Sequence, residues 1–420
     1  MDERKKIKVL VVPSDRFGCG LYRSVSPHTK LDEMFGDEFQ VDIEYAPDWA
    51  NPSKYESYDI VHVHKGLYEN MDIFWSAMDY FNEHKIVVII DVDDNWDVGP
   101  QHPLYLSNKA FKAPEKICEN LKRADYVTTT TTIFAQKIYP HNKNVFVYPN
   151  AIDPTEEQYN PVKNPSKKIR FGFVMGSAHE KDMEQFKGVT NLLYGMGVLD
   201  KIQLVLCGYD LRGTVTLLDQ NGNQTGSRPI KPTESVWYSY EKTVTDDYRF
   251  ISPTYKDFLL RFIPGSNWPM VEGEMYRREW TKDINEFAKH YRNVDVLLCP
   301  LAQNGFNEVK SELKFIEAGF TDTAIIASDF GPYTLVSKNL IEYGGGINPD
   351  GNCILVDPAK KAKGWAKAIK KLVDNPELIT LMKNNLHDTV KDRYDIRNVT
   401  KRRAAWYKEI VAKKKAEQKY

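Results

Sequence analysis

The chain has 420 residues, 42% hydrophobic and 27% charged, which excludes a largely disordered chain and leaves room for two packed cores. A formal net charge of −1 supplies no global field to draw in nucleic acid or an anionic membrane. Five scattered cysteines without Cys-x-x-Cys spacing exclude a zinc module and a disulfide framework, and point to a reducing, cytoplasmic setting.

The charged start, Met1 to Lys8, runs straight into a strand and does not read as a signal peptide. No run of about 18 apolar residues occurs, so no transmembrane segment is expected; peripheral membrane contact stays open. Ile7 to Pro13 reads as a buried strand opening into a glycine loop at Gly18 and Gly20. Similar runs at Tyr58–Val63, Lys85–Ile90, Tyr126–Thr130 and Val145–Tyr148 are spaced widely enough for helices, which predicts a parallel sheet with crossover helices.

A Pro- and Asn-rich stretch from Tyr148 to Lys168 reads as a linker, so the first domain is set at 1–155 and the second at 156–395. The second strand series starts at Lys168–Val174 and continues at Lys201–Cys207, Val294–Cys299, Ala324–Ser328 and Cys353–Val356. Between about 209 and 282 the pattern lapses into an aromatic-rich insertion (Trp237, Tyr238, Tyr240, Tyr248, Tyr255, Trp268, Tyr276, Trp280), whose rings either cover a small core or offer a stacking surface. Residues 396–420 predict a basic C-terminal helix. Trp406 with Ile410 and Tyr407 with Val411 dock one face, while Lys401, Arg402, Arg403, Lys408, Lys413, Lys414, Lys415 and Lys419 face water or, alternatively, a partner.

Chemistry concentrates in Pro300–Gly319. A helix beginning near Asn307 places Lys310, Lys314 and Glu317 on one side. Its free N–H groups, with Lys310 and Ser311, suit a diphosphate. Glu317 suits two ribose hydroxyls, or is an ordinary helical glutamate.

Asn307–Ala318 reads Asn-x-x-Lys-Ser-x-x-Lys-x-x-Glu-Ala and resembles the donor-binding signature of GT-B glycosyltransferases of the family 4 type. The resemblance implies that Glu317 holds the nucleotide ribose and that Asn307, Glu308, Lys310 and Ser311 hold the diphosphate and sugar. Val309 stands where that family usually carries a glutamate, so either Glu308 serves or Asn307 and Lys310 do. Ala124–Thr129 with Tyr148–Asp153 is similar to the family's exit from its first domain. Phe171–Asp182 is similar to the first βα turn of its second domain, which implies phosphate binding by Gly176 and Lys181, with Ser177 where an arginine is common. Gly18-Cys19-Gly20-Leu21-Tyr22-Arg23 resembles the loop that closes over the donor diphosphate, with Gly18 and Gly20 allowing close approach and Arg23 forking onto phosphate.

Asp91, Asp93 and Asp94 cluster at a strand's end, where Asp93 or Asp94 could orient an acceptor hydroxyl or take its proton. Capping or turn chemistry explains the acids equally well. Asp91-Val92-Asp93 also resembles the metal motif of GT-A enzymes, but the second strand series has no place in that fold and no metal is expected. His62 and His64 share one face of their strand and suit a structural or polar role.

The resemblance as a whole implies an α/β GT-B fold: two Rossmann-like domains with parallel sheets facing across a cleft, and a C-terminal helix returning to the first. It implies sugar transfer from a nucleoside-diphosphate sugar, of UDP or GDP type and with no further cofactor, to an acceptor hydroxyl with retention. Arg23, Lys181 and Lys310 would stabilise the departing diphosphate. The acceptor would be a polysaccharide or lipid-linked saccharide; a modified DNA base is not favoured by the charge. The rival readings are a non-catalytic nucleotide-sugar or glycan-binding protein and a sugar-nucleotide epimerase.

Overall fold

The computed structural model describes residues 6–100, 102, 104–219 and 224–416. The expectations for Met1–Lys5, for residues 220–223 of the insertion and for Lys419 lie outside the described residues. The chain divides into two compact units: unit 1 is Met1–Pro154, Asn304–Ile316 and Val390–Tyr420, and unit 2 is Thr155–Gln303 and Glu317–Thr389.

Unit 1 holds a six-stranded sheet of β1 (Ile7–Val12), β2 (Phe39–Ile43), β3 (Ile60–His64), β4 (Val87–Val92), β5 (Tyr126–Thr129) and β6 (Val145–Val147). Their order is β2-β1-β3-β4-β5-β6 and every neighbouring pair is parallel. A parallel sheet is covered on both faces, which is why β3 and β4 are buried along their whole length. Alternation along β1 sends Leu10 and Val12 into one cluster with Val61, Ile90 and Phe74, and Val9 and Val11 into the other with Ile60, Ile89 and Trp406.

That second face is closed by the helix Ile396–Ala416, whose Trp406, Tyr407, Ile410 and Val411 are buried as their spacing predicts. Its cations do not all face water. Lys408, Lys414 and Lys415 pair with Glu38, Asp125 and Asp59, and buried Arg403 lies over the Tyr148 ring. Acidic groups within unit 1 thus neutralise part of the basic tail.

Unit 2 holds β7 (Ile169–Val174), β8 (Ile202–Tyr209), β11 (Tyr276–Trp280), β12 (Val296–Cys299), β13 (Ala324–Ser328) and β14 (Ile354–Val356), all parallel in the order β11-β8-β7-β12-β13-β14. A separate antiparallel ribbon joins β9 (Thr214–Leu218) to β10 (Gln224–Pro229). The region read as an insertion therefore contains an edge strand of the main sheet. Its rings are core: Trp237, Tyr240, Tyr248, Tyr255 and Tyr276 are buried with Phe173 and Leu204. The polar look of β11 arises because Arg278 is buried against Glu241, with paired atoms at 2.9 and 2.6 Å.

Candidate active site

In both sheets the strand order reverses beside the first strand, between β1 and β3 in unit 1 and between β7 and β12 in unit 2. Open parallel sheets bind ligands at the carboxyl ends of the strands at such a switch, and the chemically interesting side chains of each unit collect there.

In unit 1 the expected glycine loop after β1 is helical instead: a turn of helix at Gly18–Gly20 passes through a wider turn at Leu21–Val25 into the helix Ser26–Phe35. Asp15 starts it, its Oδ1 accepting from the backbone N–H of Phe17 at 2.8 Å and of Gly20 at 3.1 Å. Gly20 is required by this turn, because a Cβ there would lie 2.0 Å from the Asp15 carbonyl oxygen. Gly18 sits in the first helical turn.

Arg23 does not end on a free surface. It is 1% exposed and forks onto Asp91 at 2.9 and 2.7 Å, while Nη1 donates to the Tyr148 carbonyl and to Asn150 Oδ1. Asp91 also accepts from Thr128 at 2.6 Å. Burial by itself would raise the Asp91 carboxyl, but the Arg23 guanidinium outweighs it and holds it below the usual range. Asn150 in turn donates to Ser311 Oγ at 3.0 Å, so Arg23 and Ser311 share one hydrogen-bonded chain.

The acids after β4 separate into two kinds. Asp93 accepts from Lys65 at 2.9 Å and from His64 Nε2 at 3.0 Å, and His64 Nδ1 lies 2.9 Å from Ser14 Oγ. Burial would raise the Asp93 carboxyl, yet Lys65 and His64 hold it well below the ordinary value. Asp94 is raised, by burial and then by Asp93 beside it; Lys65 at 3.7 Å and Lys310 only moderate this. Cys19 closes the cluster, its thiol pushed up by burial and by Asp93. Among the described residues, the ligand atoms of Cys19, Asp93 and Asp94 form a group within 4.8 Å of one another, with Lys65 already on Asp93. The second histidine of β3, His62, is buried with its ring centre 4.6 Å from that of His28, and neither of its nitrogens has a hydrogen-bond partner among the described residues.

The helix expected to begin near Asn307 is broken. A short turn, Gly305–Glu308, is capped by Asn304 Oδ1 on the Asn307 N–H at 2.8 Å, and the main helix starts only at Leu313. Val309 is buried in the unit 1 core while Glu308 is exposed. Lys310 and Ser311 thus lie in the non-helical link, off the helix that carries Lys314 and Glu317. Lys310 Nζ stands 5.0 Å over the Phe306 ring, and Asn307 is buried.

In unit 2, Glu317 lies in the second turn of the helix Leu313–Phe320, 3% exposed, and accepts from the Tyr291 hydroxyl at 2.8 Å. Burial and Glu317 push the Tyr291 hydroxyl well up, so it stays a donor. The turn after β7 keeps Gly176 exposed, with nothing within 4 Å of a notional Cβ. It is tied down beyond that point. Tyr240 Oη donates to the Ser177 carbonyl at 2.7 Å and accepts from the His179 N–H at 2.9 Å. Asp182 accepts from His179 Nδ1 and from the Ala302 N–H, both at 2.7 Å, joining the turn after β7 to the loop after β12. Lys181 is exposed and pairs with Glu184 at 2.8 Å.

Sequence reasoning missed Lys65, Asn150, Tyr240 and Tyr291. Lys65-Gly66, directly after β3, was a usable turn signal at a strand's carboxyl end. Tyr240 and Tyr291 act through a single hydroxyl far along the chain from its partner, and no local pattern marks them.

No family model matches this chain, and no curated protein matches it by sequence. Solved structures match along nearly its whole length. Sucrose-phosphate synthase from Thermosynechococcus elongatus superposes with a TM-score of 0.57 at 14% identity, covering 98% of this chain and 100% of that one. HepE from Anabaena, in complex with UDP and glucose, gives 0.59 at 10%, covering 96% and 100%. A glycosyltransferase from Rickettsia africae gives 0.56 at 11%, covering 97% and 99%. The likeness establishes the fold: this chain has the GT-B fold, two Rossmann-like units each built on a parallel six-stranded sheet. Among the described residues, no helix is long and apolar enough to cross a membrane.

Proposed function

We propose that this chain is a glycosyltransferase that moves a sugar from a nucleoside-diphosphate sugar to an acceptor hydroxyl. The observation that carries the reading is Glu317: a buried carboxylate oriented by Tyr291, in the segment that resembles a donor signature, on a GT-B fold. In this reading Glu317 accepts from the ribose hydroxyls. Gly176 and Lys181 face the diphosphate from the turn after β7, and Asn307, Lys310 and Ser311 supply donors and charge from the link before the helix. Glu308 is left to the sugar rim. The complex of the neighbour HepE with UDP and glucose favours a UDP-sugar.

The transfer forms a bond from the acceptor oxygen to the anomeric carbon as the bond from that carbon to the diphosphate breaks. Asp94, whose carboxyl is raised by burial, is better suited than Asp93 to orient the acceptor hydroxyl and take its proton. Arg23, spent on Asp91, acts as a positioning residue through Asn150 and Ser311. Retention and independence of metal follow the family resemblance, and Lys65 on Asp93 leaves the acids little room for a cation. The acceptor is read as a saccharide, polymeric or lipid-linked, because part of the basic tail is neutralised within unit 1. Five free cysteines support a reducing, cytoplasmic setting.

The test is thermal stabilisation by UDP, GDP, dTDP, ADP and CMP, with and without magnesium, on the wild type, Glu317→Ala and Glu317→Gln. One nucleoside diphosphate should raise Tm without metal, and both variants should lose the rise relative to their own baselines. A rise that survives in both variants removes Glu317 from the site. A second reading, a nucleotide-sugar-binding protein without turnover, is favoured by the burial of Arg23 and by Ser177 in place of a cation. Release of free UDP from a bound UDP-sugar in the presence of a saccharide excludes it.

A further inference from the structure

A cavity of about 210 Å³ opens in unit 1, lined by Trp96, Asp97, Tyr105, Asn108, Lys109 and Glu115 among others, in the segment that follows Asp94 along the chain. One wall is fixed. Trp96 follows Asp94 by two residues and packs on Phe134 at 5.7 Å and His141 at 5.5 Å. The loop that carries it is pinned by Asn95, which donates to the Gly305 carbonyl at 2.7 Å and accepts from the Asp97 N–H at 3.1 Å. The opposite wall is one face of the helix Tyr105–Phe111, where Tyr105, Asn108 and Lys109 recur at spacings of three and four. That helix buries none of its residues, and Leu106 on it is 75% exposed.

The polar tips in this cavity are unspent. Among the described residues, the side chains of Asp97, Asn108, Lys109 and Glu115 form no hydrogen bond or ion pair with the protein. A larger cavity, of about 610 Å³ in unit 2, differs in this respect: its Glu234 is paired with Arg228 and its Lys242 with Asp247. Two carboxylates against one ammonium disfavour a phosphate or a nucleotide in the unit 1 cavity. An aromatic wall ringed by carboxylate, amide and ammonium groups is instead complementary to a neutral sugar ring, with C–H faces on the indole and phenol and hydroxyls at the polar tips.

We propose that this cavity is a subsite for a hexose residue of the acceptor saccharide. The proposal rests on the reading of the chain as a glycosyltransferase and names the acceptor class that reading requires. Asp97, Asn108, Lys109 and Glu115 set specificity, Tyr105 forms the stacking wall, and buried Trp96 contributes only the part of its indole that reaches the cavity.

The experiment is ligand-observed saturation-transfer NMR on the full chain with millimolar methyl glycosides of glucose, galactose, mannose and N-acetylglucosamine. At least one glycoside should receive saturation. Its apparent affinity should fall tenfold or more in an Asn108→Ala, Glu115→Gln double variant and in Tyr105→Ala, with the UDP-induced Tm shift unchanged in the same samples. The subsite is overturned if no glycoside receives saturation, or if the signal persists in the variants. Stabilisation by UDP without saturation would sink the subsite and leave sugar transfer standing. Saturation lost in the variants, with no nucleoside diphosphate stabilising any sample, would sink the transferase reading and leave a saccharide pocket.

Discussion

At the carboxyl ends of its strands unit 1 gathers Arg23, Lys65, Asp91, Asp93 and Asp94 into close ion pairs, whereas unit 2 ties its corresponding turn down through Tyr240 and Asp182 and orients Glu317 through the Tyr291 hydroxyl. A buried ion pair is costly to desolvate and fails badly when one partner is removed, because the other charge stays buried alone. A hydroxyl bridge loses far less, and what it loses is local geometry. Unit 1 should therefore respond to substitution and pH through its stability, and unit 2 through ligand affinity.

The largest expected effect is at Arg23. Arg23→Ala strands Asp91, leaving it the Thr128 hydroxyl and His64 Nε2 at 4.0 Å, and should cost about 3–5 kcal/mol in chemical denaturation. Replacing both partners, as Arg23→Met with Asp91→Leu, should recover most of that loss. A single-variant loss below about 1 kcal/mol would end the contrast between the units.

pH sharpens the comparison next. Burial, followed by the charges of His62 and Arg403, lowers His28 well below the ordinary histidine value; burial, Arg403, Arg23 and His64 do the same to His62. Below about pH 6.5 the unfolded chain takes up protons that the folded chain refuses. Stability should then fall with falling pH by up to about 1.4 kcal/mol per pH unit for each of the two histidines. Asp91 and Asp93 add a loss of the same sign only below the usual carboxylate range, and Asp94 opposes it. His62→Leu removes a ring with no hydrogen-bond partner and should roughly halve the slope between pH 5 and 6 without destabilising the chain at pH 8. In unit 2 burial brings Lys163 down to about 7, so its contribution has another window: stability rises with pH from about 7 toward the ordinary lysine value of about 10.4.

The same division explains what the sequence made legible. Strands such as Val87–Val92 and Ile169–Val174 were readable because burial on both faces demands unbroken apolar runs. The strand Tyr276–Trp280 was hidden, because Arg278 is satisfied by Glu241, 37 residues away, and by the Leu259 carbonyl at 2.9 Å. The pairing of Arg23 with Asp91 spans 68 residues, so an arginine after a Gly-x-Gly read as a phosphate fork with nothing local to contradict it. The helix break between Glu308 and Leu313 follows from Val309 entering the unit 1 core, a long-range event invisible to helical periodicity.

A smaller effect is expected at Tyr240. Tyr240→Phe removes the bridge between Ser177 and His179 while keeping the ring in the core. It should cost about 0.5–1.5 kcal/mol and raise the KM for the nucleotide sugar several-fold with kcat little changed. Loss of stability with unchanged KM would mean that the turn after β7 does not meet the nucleotide.

The smallest effect on stability, and the most direct probe of the contrast, is at Lys181. Its ammonium is exposed and pairs with Glu184, three residues on and just past the short helix Glu180–Met183, and water screens such an exposed pair so that it adds little to stability. Lys181→Ala should therefore leave Tm within the spread of other surface substitutions. If the turn after β7 faces a diphosphate, the same substitution removes a cation from it, and UDP affinity should drop several-fold with a weaker dependence on salt. Glu184→Gln is the informative partner: it frees Lys181 from its carboxylate and should tighten UDP binding if the ammonium serves phosphate. Unchanged affinity in both variants would confine Lys181 to its local pair and shift the work of holding the diphosphate to Lys310 and the backbone N–H groups of the turn.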